Sequence, residues 1–92
     1  MKPFIVAVVF GSGPESELFV NAVIAPNREA AAAIWSLEVR EQTGIAKPLA
    51  GVAVMELERS FLETALRATQ GKLPETGTAQ VVSLVPPRDG AA

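Results

Sequence analysis

Cysteine, histidine and tyrosine are all missing from the 92 residues. Without cysteine there is no disulfide framework, no thiolate metal site and no cysteine nucleophile. Without histidine the commonest general base and metal ligand is gone as well. Clustered positive charge is also lacking. The eight Lys and Arg residues stand singly against ten carboxylates, for a formal net charge of −2. No basic stripe exists to neutralise a phosphate backbone, so nucleic-acid binding is not expected. No apolar run approaches the ~18 residues of a membrane span, so no membrane partner is expected either.

What is present is apolar surface. Apolar residues make up 49% of the chain before its seven glycines are added, above the ~45–50% of a soluble domain with glycine included, and charged residues only 20%. A chain of this length is one domain that buries roughly two-thirds of its unfolded surface. One so apolar is expected to hide part of the rest against another chain. The opening "MKPFIVAVVFGSG" reads as a buried strand, not a secretion signal: its run from Phe4 to Phe10 is short and rich in Val, Ile and Phe. The cytoplasm is the default compartment. Frequent alanine, with five Arg against three Lys, suggests a bacterial source.

Periodicity predicts a first strand over 3–10 and a second over 17–25, joined through "GSGPES" as a hairpin. Both alternating sets of each strand are apolar, so both sheet faces need cover. Asn27 is a good N-cap for a helix "REAAAAIWSLEVREQT", which stops at Gly44 with Ile45 placed to close a hydrophobic contact. A third strand follows over 49–58. The Ser60-to-Glu63 capping box then opens a second helix to Gln70, and a fourth strand covers 78–85. The expected fold is a small α/β (α+β) sandwich: four strands in a mixed sheet, two helices, order ββαβαβ. Residues 1–85 form the domain and 86–92 a flexible tail. The final strand–helix–strand unit favours a parallel pair. This order is similar to that of ferredoxin-like sandwiches, an architecture that carries many functions.

Residues 73–77 spell Leu-Pro-Glu-Thr-Gly, the pentapeptide that sortases cut. A sortase substrate follows it with a spanning segment and a basic tail. Here only Val81 to Val85 is apolar, two prolines close it, and Arg88 stands beside Asp89. The stretch is expected to be a loop.

Candidate chemistry is sparse. Gly11-Ser12-Gly13 leads into Glu15 and Glu17 and another strand, not into the helix N-terminus of a phosphate loop. Glu56 and Glu58 alternate along the third strand and so are expected on one face, with Arg59 beside them. These three form the candidate polar site, where paired carboxylates are able to serve acid–base chemistry or a hard cation. A strand end emerging into solvent explains the same pattern. No catalytic residue, cofactor or metal is expected.

Trp35 is the most informative side chain. Ala30, Ala33, Ile34 and Leu37 make one helical stripe, taken to face the sheet. That places Trp35 and Val39 on the far side as a second apolar patch: either Trp35 packs sideways onto the second helix or a loop, or the patch is an interface, since Trp is over-represented among binding hot spots. If both helices cover one sheet face, the other is bare, and a second copy is the simplest cover. One helix on each face would make a monomer tolerable. The expectation is a non-enzymatic homodimer that acts through association, with a protein partner as a further prospect. The alternative is a small-ligand or carboxylate-dependent catalytic domain with a pocket near Glu56.

Overall fold

The computed structural model describes residues 1–68 and 77–82. Its elements are β1 (Lys2–Phe10), a short 3-10 turn (Gly13–Glu15), β2 (Glu17–Ala25), α1 (Arg28–Thr43), β3 (Leu49–Glu56), α2 (Arg59–Ala68) and β4 (Gln80–Val82). The α+β architecture and the order ββαβαβ are as the sequence predicts. The sheet order is β3-β1-β2-β4. The long hairpin β1–β2, with Lys2 opposite Ala25 and Phe10 opposite Glu17, forms its centre.

Pairing differs from expectation in one respect. Every strand pair among the described residues is antiparallel, so the sheet is not mixed there. β3 and β4 do not pair with each other but occupy opposite edges. The hairpin, apolar on both faces, leaves each of its edges open to one further strand. α2 carries the chain between those edges across one face, with Leu62 and Leu66 buried on Ala22, Ile24 and Val82.

α1 lies on the other face, over Phe4, Val6, Val8, Phe10, Val23 and Ala25. The Asn27 side chain accepts from the Ala30 N–H at 2.8 Å, and Gly44 closes the helix in the left-handed region at φ 67°. Ile45 packs against the same core. One expectation fails at α2. The helix begins at Arg59, so Ser60 lies inside it, its carbonyl accepting from the Thr64 hydroxyl at 3.0 Å.

The hairpin loop is tied down from outside. Lys47 Nζ donates to the Glu15 carbonyl at 2.7 Å and pairs with Glu17 at 3.1 Å. Gly11 N–H donates to the Pro48 carbonyl at 2.9 Å. The Arg40 guanidinium lies 4.7 Å over the Phe10 ring, which also meets Phe19 edge-on. No helix among the described residues is long and apolar enough to cross a membrane. The LPETG residues 73–76, the end of the fourth strand at 83–85 and the tail at 86–92 lie outside the described residues. Gly77 is an exposed turn residue.

Candidate functional site

Strand alternation sorts the sheet into two faces. The face under α1 carries Phe4, Val6, Val8 and Phe10 from β1, with Phe19, Asn21 and Val23 opposite them on β2 and Val52, Val54 and Glu56 on β3. The opposite face carries Pro3, Ile5, Ala7 and Val9, then Leu18, Val20, Ala22 and Ile24, then Gly51, Ala53 and Met55. None of those residues is polar or charged. An antiparallel sheet that meets water on one side normally alternates apolar-in with polar-out.

α2 covers only part of that second face. Ala22 and Ile24 are buried beneath it, with Ile5 and Leu57 packed alongside. Beyond its reach Leu18 and Met55 are each 64% exposed, and Val20 and Ala53 are exposed too. Between β1 and β3 the small side chains leave a shallow hollow of about 280 Å³ lined by Ile5, Ala7, Ala53, Val54 and Met55. Leu57 then leads to a second hollow of about 490 Å³, shared with Glu58, Ser60, Phe61 and Thr64. The Phe61 ring beside it is 58% exposed.

With Leu18, Val20, Met55 and Phe61 all more than half exposed, this face carries the kind of apolar patch that often marks an interaction site. It also combines large exposed side chains with small-residue hollows on one face. In a two-fold contact each copy supplies the same patch, so side chains and hollows on one face are able to fit each other.

Trp35 and Val39, the expected interface stripe, are instead core residues. Trp35 is 7% exposed and Val39 1%. Both pack with Ala31 against the sheet, and Trp35 Nε1 donates to the Phe19 carbonyl at 3.0 Å. α1 is therefore rotated from the sequence reading: Leu37 and Ala33 face outward, while Ala30 and Ile34 flank the core. Buried alanine at 31 lets the helix approach the sheet closely enough for the indole to span the gap. The spacing 31, 35, 39 was the available signal.

The candidate polar site does not assemble. β3 ends at Glu56, which faces the α1 side and pairs with Lys2 at 3.6 Å, both largely exposed. Glu58 lies past the strand end, lining the hollow beside Phe61, and Arg59 starts α2. Glu56 does line a small cleft of about 240 Å³ with Lys2, Phe4, Asn27, Arg28 and Glu29. Arg28 is committed there to the Val54 carbonyl at 2.8 Å. Among the described residues no three carboxylates gather as a metal site.

No protein family profile, no curated protein and no solved structure matches the chain.

Proposed function

We propose that this protein is a non-enzymatic association module that works as a homodimer, two copies meeting through the open half of the sheet face. The observation that supports this reading is the uncharged stretch around Leu18, Val20, Ala53 and Met55, left uncovered by α2. Water in contact with that much apolar surface is unfavourable by roughly 25 cal/mol per Å², and a second copy removes it on both sides at once. A cytoplasmic setting and a bacterial source belong to the same reading, supported by composition alone.

Static light scattering tests it. The double variant Leu18→Lys/Met55→Lys places two charges in the contact, so it is expected to be monomeric where the wild-type chain is dimeric. Both side chains are exposed in the single chain, so the fold of the single chain is expected to be retained, with stability lowered only by the loss of the association itself. A double variant that dimerises like wild type overturns the reading.

A second reading, small-ligand binding, draws support from the cleft at Glu56, where Lys2, Arg28 and Glu29 converge. Its charged side chains are exposed, Lys2 and Glu56 paired with each other and Arg28 held by the Val54 carbonyl, which makes it the weaker of the two.

A further inference from the structure

β3 forms one edge of the sheet, and its hydrogen-bonding direction follows from a single contact. Leu57 N–H donates to the Pro3 carbonyl at 2.9 Å, one pair beyond Phe4–Glu56. Bonded and non-bonded pairs alternate along an antiparallel ladder. Ala53 and Met55 therefore turn their backbone groups inward to β1. Val52, Val54 and Glu56 turn theirs outward, away from the sheet. The position of Arg28 agrees: its Nη1 donates to the outward Val54 carbonyl at 2.8 Å. From Ala50 to Met55 the strand has no charge and no proline. An edge of that kind pairs with another strand unless something covers it.

We propose that the β3 edge takes β3 of a second copy, antiparallel about a two-fold axis at Val54, and that Arg28 changes partner as the strands close. Outward residues pair with outward residues, so Val54 meets Val54 and Val52 meets Glu56 of the partner subunit, with about six main-chain hydrogen bonds. Axes at Ala53 or Met55 also set outward residues opposite each other, but they pair Glu56 with Ala50 or Val52 with Glu58, beyond the strand end, and so keep only about four of those bonds; an axis at Val52 pairs Val54 with Ala50. Ala50 is displaced from the ladder by the irregularity opposite Val9 and Phe10, which removes that register. Charge complementarity selects this occupant. Pairing takes the Val54 carbonyl from Arg28 and sets Glu56 of the partner subunit diagonally across from it, ~7–8 Å away between backbones, a gap that a guanidinium spans. Each Arg28 then pairs with Glu56 of the partner subunit, which gives up its exposed contact with Lys2 at 3.6 Å for the guanidinium. This contact is independent of the sheet-face dimer, since it uses backbone groups that the face does not.

Amide hydrogen exchange by NMR on the full chain, at about 20 μM and about 1 mM, reads the contact directly. The amides of Val52, Val54 and Glu56 are expected to exchange severalfold more slowly at the higher concentration, up to about sevenfold, the square root of the roughly 50-fold concentration ratio. They are expected to do so in a Leu18→Lys/Val20→Lys background too, which charges the face on β2, leaves β3 unchanged and so separates this contact from the face dimer. Val54→Pro removes an N–H that β1 does not use, so the concentration dependence at Val52 and Glu56 should vanish while the fold remains. Should that variant fail to fold, Arg28→Glu takes its place: it should abolish the protection, and Arg28→Glu/Glu56→Arg should restore it. Equal exchange rates at both concentrations, or protection that survives Val54→Pro or Arg28→Glu, would overturn the proposal.

Discussion

Trp35 joins α1 to the sheet at a single side chain. Its ring fills the space between α1 and the sheet, and its N–H is satisfied by the Phe19 carbonyl. Trp35→Phe loses that hydrogen bond and leaves a small void, so urea unfolding followed by circular dichroism should register a loss of about 1–3 kcal/mol. Wild-type tryptophan emission should be blue-shifted and insensitive to dilution; a red shift on dilution would put Trp35 at an interface after all. Two glycines give a sharper contrast. Gly11 has φ 86°, and a Cβ there would lie 2.9 Å from both the Glu15 carbonyl oxygen and Lys47 Cδ. Gly13 has φ 60°, but a Cβ there would meet open space. Gly13→Ala should therefore cost only the left-handed backbone term, about 1 kcal/mol, and Gly11→Ala at least twice that. Thermal melts of the two variants would check the order; equal losses would mean that the Lys47 strap yields freely.

At the scale of elements, local chemistry was the most legible part of the sequence. β2 spans 17–25 and α1 spans 28–43, as read, because Asn27 and Gly44 mark the helix ends through backbone chemistry that acts within a few residues. Asn27→Ala should cost ~1 kcal/mol through the lost bond to the Ala30 N–H, measurable by chemical denaturation. The orientation of α1 was not legible. Its alanines at 30–33, with Ile34, Trp35, Leu37 and Val39, are apolar on more than one side, so periodicity does not choose a face. Tertiary contact decides it, through a buried acceptor at Phe19 that no local pattern announces. The carboxylates misled for a similar reason. Glu56 and Glu58 alternate in sequence, but β3 stops between them and sends one to each side of the sheet.

For the whole molecule, the apolar content of the strands implied more sheet surface than two helices could hide. The structure places one helix on each face, the arrangement most favourable to a monomer. Even so, Leu18, Val20, Ala53 and Met55 stay exposed, because α2 packs its described residues Leu62 and Leu66 on Ala22, Ile24 and Val82. The partner that covers them was not legible in the sequence, since an uncharged face carries no recognition code beyond its shape. Sedimentation velocity of the wild-type chain over a dilution series from about 1 to about 100 μM tests this most directly. A two-copy species is expected through that range, with any dissociation confined to its dilute end. A single-chain species throughout would contradict it and leave the open sheet face without its proposed role.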